Sequence, residues 1–343
     1  MNILNVEKVS KTFGEKVLLD KVTLGINKGD KVGVIGVNGT GKSTLLKIIA
    51  GIEEPDEGNV IKGRNVTVTY LAQSPDHAKD ETVLSYVLRG KANASEAKAK
   101  EILNKLGIGV FDASMDMLSG GQKKRVALAK ALVEPTEVLI LDEPTNHLDN
   151  DMVVWLEQYI KAFKGELLMV THDRYFLDRI TNKIVEVDRG KLYKYETNYS
   201  GYVEEKNNRM QAAAAAERKR QSFLRREIEW VRRGVQARGT KSKSRLDHYE
   251  EVKNQEGLHT RQTLEISSIN SRLGKKIIEI YDVSKSYGTQ TLVKGFSYNL
   301  LRNDRIGVVG RNGSGKSTLL KMICGLIEPD SGRIEIGETV KIG

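Results

Sequence analysis

The sequence contains the same glycine-rich loop twice, and the two copies start 274 positions apart, at Gly36 and Gly310. Both fit the pattern G-x-x-x-x-G-K-[ST], whose glycines let backbone N–H groups close around a β-phosphate. The lysine meets the β- and γ-phosphates, and the hydroxyl after it holds Mg²⁺. The sequence therefore predicts a nucleotide-binding protein. The predicted binding residues are Gly36, Asn38, Gly39, Thr40, Gly41, Lys42, Ser43 and Thr44 in the first loop and Gly310, Asn312, Gly313, Ser314, Gly315, Lys316, Ser317 and Thr318 in the second, with Ser43 and Ser317 also as metal ligands.

The repeat extends on both sides of the loops without a gap. The Glu-Pro-Asp triplet that ends at Asp56 recurs in the second copy, where it ends at Asp330. Each loop follows an apolar segment, residues 31–35 and residues 305–309, and leads into a helix-like segment. This context separates a working phosphate loop from a chance match. We therefore predict a strand over each apolar segment and an α/β fold in both copies.

The second copy ends early, because Gly343 corresponds to Thr69 of the first. The counterparts of later first-domain residues fall outside the sequence, and we expect an engineered fragment or a truncated product. The predicted organisation is a first nucleotide-binding domain over residues 1–197, a linker over 198–273 and the N-terminal part of a second domain over 274–343.

Composition narrows the class of protein. The only cysteine is Cys324, so no disulfide forms within one chain and a reducing compartment fits. The sequence lacks an apolar run of the roughly 20 residues that a bilayer requires, and its N-terminus lacks signal-peptide features. We expect a cytoplasmic protein without a membrane partner.

The linker carries most of the net charge of +10, because residues 218–245 contain 11 Lys or Arg and 2 Asp or Glu. Such a concentration indicates a surface that faces a polyanion, although a solvated helical face is the simpler interpretation of a charge run. An alanine run, residues 212–216, and apolar spacing from Leu224 to Val235 predict a helix. Glycines at 234 and 239 favour an antiparallel helical hairpin with a basic tip over one continuous helix.

Two further motifs of the first domain suit hydrolysis. The motif Leu118-Ser119-Gly120-Gly121-Gln122 precedes an amphipathic segment, and N–H groups at a helix start form an anion site. The apolar segment 138–141 ends in two acids, Asp142 and Glu143. Asp142 is placed to hold Mg²⁺ through water, and Glu143 to orient or deprotonate an attacking water.

In this order, the phosphate loop, the motif at 118–122 and the acidic pair resemble the ATP-binding cassette family. The resemblance covers residues 1–197 fully and 275–343 in part. It implies a RecA-like core with an antiparallel β subdomain and a helical subdomain, and it implies ATP and Mg²⁺ as ligands. It further implies that Phe13 and Tyr287 stack on adenine, that Gln73 contacts Mg²⁺ and the water, that His172 touches the γ-phosphate and that Asp149 reaches across the interface between cassettes.

In this family, the five-residue signature motif of one cassette covers the nucleotide held by the phosphate loop of another. The second copy lacks its own signature, acidic pair and histidine. We therefore expect a chain that binds ATP but hydrolyses it slowly as a monomer. A head-to-tail homodimer of first cassettes is expected to restore hydrolysis.

Residues 146–149, Asn-His-Leu-Asp, resemble the ABC-F subfamily, and the linker is similar to its Uup-like branch. This resemblance implies a soluble ATPase in the ribosomal E site, with a linker that reaches P-site tRNA and with hydrolysis driving release. The basic side chains expected to contact RNA backbone are Arg232, Arg233, Arg238, Lys241, Lys243 and Arg245.

Two other functions stay open at this point. The first is the energy subunit of a transporter, for which a basic hairpin between cassettes has no evident use. The second is a DNA-associated ATPase, because a basic hairpin does not distinguish DNA from RNA. The span from Gln73 to Leu118 is too short for the extended arm of some ABC-F members, and the short linker argues against drug resistance.

Overall fold

The computed structural model describes residues 2–71, 76–91, 94–134, 136–232, 250, 277–288, 290–310, 313–337, 340 and 342. It divides into two compact units. The larger comprises residues 1–146 and 156–263, and the smaller comprises residues 147–155 and 264–343.

The larger unit begins with an antiparallel sheet of three strands. These are β1 (Asn2–Phe13), β2 (Lys16–Asn27) and β4 (Glu57–Lys62), in the order β2-β1-β4. Buried side chains of β1 alternate at Leu4 and Val6 and resume at Val9, because a bulge with positive φ at Lys8 shifts the register. One face of this sheet therefore packs on the core while the other faces solvent.

A central sheet of six strands follows, in the order β5-β6-β7-β3-β8-β9. All neighbouring pairs are parallel except the pair of β8 and β9. The strands β6 and β7 are buried along their whole length, as expected for parallel strands covered on both faces. Their bounds are β3 Lys31–Ile35, β5 Val68–Leu71, β6 Val138–Asp142, β7 Glu166–Val170, β8 Lys183–Asp188 and β9 Lys191–Tyr195.

Helices complete the larger unit in two groups. A helical part comprises α2 (Val83–Leu88), α3 (Glu96–Lys105), a 3₁₀ turn (Met115–Met117) and α4 (Gly120–Leu132). The core helices are α1 (Lys42–Ala50), α6 (Arg174–Ile180) and α5 (Asn150–Ala162), of which residues 156–162 belong to the larger unit. The predicted class, an α/β phosphate-loop core with an antiparallel β subdomain and a helical subdomain, is confirmed.

The long helix α7 (Tyr199–Arg232) forms the described part of the linker, and its 34 residues extend about 51 Å. The helix predicted around residues 212–216 is present. The predicted turn and second helix lie outside the described residues, so the choice between a hairpin and one continuous helix stays a prediction. In the described part of the chain, no helix is both long enough and apolar enough to span a bilayer.

The smaller unit repeats the antiparallel sheet. Its strands β10 (Ile278–Tyr287), β11 (Gln290–Leu300) and β12 (Ser331–Ile336) have the order β11-β10-β12, and its helix is α8 (Lys316–Ile323). The strand predicted over residues 305–309 was wrong, because this segment forms no strand and is exposed. In the first copy the equivalent β3 is hydrogen-bonded on both sides, by β7 and β8. The counterparts of those two strands at the repeat offset would lie beyond residue 343.

Candidate nucleotide-binding and hydrolytic site

The first phosphate loop connects the end of β3 to the start of α1, and two of its glycines are required by close contacts. Gly36 has φ 152°, and a Cβ added there would lie 2.5 Å from the carbonyl oxygen of Val187 in β8. Gly41 has φ 96°, and a Cβ there would lie 3.1 Å from the Cβ of Leu18 in β2. The loop is therefore held between a strand of the central sheet and a strand of the antiparallel sheet.

Lys42 follows the loop as the first residue of α1 and is almost fully buried. Its Nζ donates hydrogen bonds to the carbonyl oxygens of Gly36 (3.0 Å) and Val37 (3.1 Å). Burial lowers the pKa of Lys42, whereas the nearby carboxylates of Glu143 and Asp142 raise it. The ammonium group thus lies inside the curve of the loop, opposite two acids.

The loop forms one wall of a cavity of about 370 Å³. Three adjacent strands of the sheet, β6, β7 and β3, end at this cavity. Predicted residues that are distant in sequence are therefore brought together in space. Those that line the cavity include Asn38, Lys42, Ser43, Asp142, Glu143 and His172.

Glu143 occupies a left-handed backbone conformation, with φ 53°, which is uncommon for a residue with a side chain. Its N–H donates to the carbonyl oxygen of Val170 (2.8 Å), which holds this conformation. Its Oε2 accepts a hydrogen bond from the backbone N–H of His172 (3.3 Å), and its Oε1 lies 3.5 Å from Nε2 of His172. Burial raises the pKa of Glu143, and His172 partly opposes this shift. A carboxylate with these properties suits proton abstraction from a water.

Asp142 is buried, and neither of its carboxylate oxygens has a hydrogen-bond partner among the described residues. A buried carboxylate without partners is costly unless a cation compensates its charge. The oxygen donors of Asp142 and Ser43 face the same cavity and are the ligand type that Mg²⁺ prefers. This donor set fits Mg²⁺, which, when bound, would neutralise charge on the β- and γ-phosphate oxygens.

The carboxylate of Asp142 also affects the pKa of Tyr70 in β5. Its hydroxyl is buried and has no hydrogen-bond partner in the described part of the chain. Burial raises the pKa of Tyr70, and the charge of Asp142 raises it further. Tyr70 is therefore a neutral neighbour of Asp142 and does not compensate the charge of that carboxylate.

The signature motif lies apart from this cavity. Ser119 caps α4, because its Oγ accepts from the N–H of Gln122 (3.3 Å) while its own N–H donates to Oε1 of Gln122 (2.9 Å). Leu118 is buried beside this start, whereas Ser119 and Gly120 are exposed. None of the described residues that line the cavity belongs to the signature motif.

The other predicted site residues that the structure describes are not among those that line the cavity, and some predicted residues lie outside the described part of the chain. Phe13, at the end of β1, is 78% exposed, and Tyr287, at the end of β10, is 51% exposed. Asp149 precedes α5, where its Oδ1 accepts from the N–H of Met152 (3.1 Å). Arg232 ends α7. Gln73, Asn312, Arg233, Arg238, Lys241, Lys243 and Arg245 lie outside the described residues.

Several residues at or near the site were not among those predicted from the sequence. Leu18, Asn146 and Val170 line the cavity, and no motif signal marks Leu18 or Val170. A signal did exist for Glu186, since it is a charged residue in the apolar run of β8. Glu186 is buried and contacts α7, as described below.

A phosphate loop after a central parallel strand, with two acids and a histidine from adjacent strands around one cavity, defines a P-loop nucleotide-hydrolysing domain. Two family models agree. One, described as "ABC transporter", matches residues 19–146 and 293–341, and another with the same description matches residues 185–266. The chain therefore belongs to the ABC transporter family, whose ATPase domains bind ATP, typically with Mg²⁺.

Two proteins similar in sequence to this chain also carry names that refer to ATP binding or to energy-dependent activity. The chain is 42% identical, over 100% of its own length, to the "Uncharacterized ABC transporter ATP-binding protein YfmR" of Bacillus subtilis (strain 168), of which it covers 61%. It is 39% identical, over 99% of its length, to the "Energy-dependent translational throttle protein EttA" of Mycobacterium tuberculosis (strain H37Rv), of which it covers 68%. The chain thus spans about two thirds of the length of these relatives.

A solved structure supports the fold. "Structure of ATP binding subunit of ABC transporter" matches with a TM-score of 0.51 and 23% sequence identity. The match covers 57% of this chain and 90% of that chain. At this identity the likeness concerns the fold alone.

Proposed function

We propose that this chain is the cassette and linker portion of an ABC-F ATPase that acts on the ribosome. ATP with Mg²⁺ closes one cassette on another, the linker contacts RNA in that state, and hydrolysis permits release. The observation that carries the proposal is the direct attachment of a basic helix, α7, to the strand beside the phosphate loop. The domain boundaries at 197 and 273 are part of this proposal.

Residues of the first cassette have separate roles in the proposed hydrolysis. Lys42 and the loop N–H groups would bind phosphate oxygens, and Ser43, Asp142 and Gln73 would hold the metal. Glu143 takes the proton of the attacking water on a carboxylate oxygen. His172, whose backbone N–H and ring both face Glu143, orients that carboxylate and contacts the γ-phosphate.

The attachment of α7 centres on the buried carboxylate of Glu186 in β8. It accepts hydrogen bonds from Tyr195 of β9 (3.3 Å) and from Tyr202 of α7 (3.3 Å), and it pairs with two cations of α7, Lys206 and Arg209. The guanidinium of Arg209 also lies 3.9 Å from the ring centroid of Tyr193 in β9. The base of the helix is therefore tied to both strands at the edge of the sheet.

The same strand contacts the phosphate loop. Glu186 is in register with Ile35, the last residue of β3, and the carbonyl of the next residue, Val187, lies against Gly36. The residue that contacts the loop, Val187, is thus adjacent in sequence to Glu186, which holds α7. A movement of the loop on nucleotide binding would therefore act on the strand to which α7 is attached. This geometry supports nucleotide-dependent placement of the linker.

The exposed surface of α7 supports binding to a polyanion. Arg218, Lys219, Arg225 and Arg226 are exposed. Their spacing places all four within an arc of about 120° around the helix. Cations on such a stripe displace counterions from a phosphate backbone without reading base sequence. The translation-related name of the EttA relative favours RNA of the ribosome and tRNA as the polyanion.

The proposal includes slow hydrolysis by a single copy of this chain. The signature motif does not line the cavity of its own cassette in the described residues, so a second cassette must supply those donors. A homodimer of first cassettes meets this requirement. Turnover per chain is therefore expected to rise with protein concentration, and turnover independent of concentration would contradict this part of the proposal.

A transporter energy subunit is the second candidate, because the family description and the Bacillus relative's name both refer to transporters. DNA association is a third outcome of the same test. The Glu143→Gln protein is incubated with ATP and Mg²⁺ and then with ribosomes, duplex DNA or liposomes. Co-sedimentation with ribosomes that requires ATP supports the proposal, whereas preferential binding to DNA or to membranes overturns it.

A further inference from the structure

Lys16 contacts the first phosphate loop, although it belongs to no phosphate-loop motif. It is the first residue of β2 and is exposed. Its Nζ donates a hydrogen bond to the carbonyl oxygen of Gly39 (2.8 Å), a residue that lines the cavity. No carboxylate of the described residues lies within ion-pair distance of Lys16.

Lys16 lies between the residue proposed to contact the base of a nucleotide and the loop proposed to contact its phosphates. Across the hairpin, Lys16 is paired with Phe13, the aromatic residue proposed to stack on adenine. Its ammonium group reaches the loop proposed to hold the phosphates. Two residues further along the same face of β2, Leu18 packs against Gly41 and lines the cavity. A nucleotide that spans Phe13 and the loop therefore passes Lys16 between its base and its β-phosphate.

We propose that Lys16 is a further nucleotide-binding residue, whose ammonium group contacts the α-phosphate and ribose of the nucleotide in the first site. An ammonium has three N–H donors, and Gly39 accepts one of them, which leaves donors for an anion beside the loop. This inference rests on the proposed nucleotide site in the first cassette.

The second copy differs at this position. The residue equivalent to Lys16 is Gln290, the first residue of β11, which carries no charge. The aromatic position is kept, by Tyr287, and so is the packing of a leucine, Leu292, against Gly315. The proposed contact therefore distinguishes the two sites, with the first binding nucleotide more tightly.

The test measures affinity by isothermal titration calorimetry with ATP and with ADP, in the presence of Mg²⁺. A Lys316→Ala background confines binding to the first loop. Lys16→Gln is expected to raise the Kd for ATP and for ADP by the same factor, about five- to tenfold, because both nucleotides carry the α-phosphate. Lys16→Arg is expected to restore most of the affinity.

Lys28→Gln is the matched control, since Lys28 is an exposed lysine in the turn after β2 and its removal changes net charge equally. Its Kd values are expected to match those of the background. Unchanged affinity in Lys16→Gln, or a loss confined to ATP, overturns the inference. So does a loss of affinity accompanied by a lower Tm of the nucleotide-free protein that Lys16→Arg leaves uncorrected. If the background itself binds neither nucleotide, the proposed site fails along with the inference.

Discussion

The two copies of the phosphate loop share their local backbone but differ in the strand that precedes it. Gly36, Gly39 and Gly41 have φ values of 152°, 75° and 96°, and Gly310, Gly313 and Gly315 have values of 157°, 81° and 95°. Yet Val34 in β3 is fully buried, whereas its counterpart Val308 is 40% exposed and outside any strand. A glycine loop is thus a local property of sequence, whereas a central strand requires neighbours on both sides.

A second feature of the repeat is equally local. Asp56 accepts from the backbone N–H of Thr12 (2.7 Å) and pairs with Lys11 (3.0 Å). Asp330 accepts from the N–H of Ser286 (2.7 Å) and pairs with Lys285 (2.6 Å). The repeated Glu-Pro-Asp triplet is therefore explained by a clasp between the first strand of each copy and the segment before β4 or β12.

The largest expected effect concerns the acidic pair of the first copy, Asp142 and Glu143. Glu143→Gln is expected to lower kcat for ATP hydrolysis by about 10²–10⁴-fold, because the amide cannot accept the proton of the attacking water. Affinity for ATP is expected to stay within about threefold, since shape and hydrogen-bonding capacity are kept. Phosphate release and calorimetry measure the two quantities. Hydrolysis at the original rate would show that catalysis does not depend on the carboxylate of Glu143.

Replacing the lysine of each loop, Lys42 or Lys316, tests whether the two copies contribute equally to ATP affinity. Lys42→Ala is expected to weaken ATP binding by tenfold or more, because Lys42 is buried opposite Asp142 and Glu143 in a formed cavity. Lys316→Ala is expected to cost less, because residues 305–310 before its loop are exposed. Calorimetry of both variants provides the comparison. Equal losses would mean that loop geometry alone determines affinity.

The first copy is also joined to α7 through Glu186, whose carboxylate contacts Lys206 and Arg209. Glu186→Gln is expected to destabilise the chain by about 1–3 kcal/mol, less than for a fully buried pair because the Lys206 and Arg209 side chains are 33% and 36% exposed. Hydrogen exchange in residues 199–210 should increase. Glu217→Gln is the matched control, since its carboxylate pairs with Arg220 on the same helix. A similar change in both variants would contradict a specific attachment at Glu186.

The smallest effect is expected for the clasps. Asp56→Asn and Asp330→Asn should each lower Tm slightly and by similar amounts, because both carboxylates are exposed and make matching contacts. Hydrogen bonds from Thr12 and Lys11 lower the pKa of Asp56 to about 2. Its contribution to stability is therefore present above its ordinary pKa of about 4 and is lost as pH falls towards 2. Thermal melts across this pH range, with Asp56→Asn showing a weaker dependence than the original chain, check the sign.

Much of the site was predictable because its residues belong to short motifs. The loop at Gly36, the helix start at Ser119 and the acids after β6 each depend on neighbours in sequence, and the structure has each of these local elements. The contact of Lys16 with Gly39 and the contacts of Glu186 with α7 join residues on separate elements, and no local pattern specifies which residues meet. The strand at 305–309 was predicted from an apolar run, and apolar composition does not supply hydrogen-bond partners.

By itself, the sequence determined the family, the glycine loops with their left-handed backbone, and the residue types that hydrolysis of a nucleotide requires. These properties follow from steric limits and hydrogen bonds within a few residues. Only the tertiary structure decided which residues surround the first loop, how α7 attaches to the sheet, and which of two similar apolar segments becomes a strand. Those outcomes depend on partners that are distant in the chain, because burial and strand pairing are satisfied only when separate elements meet.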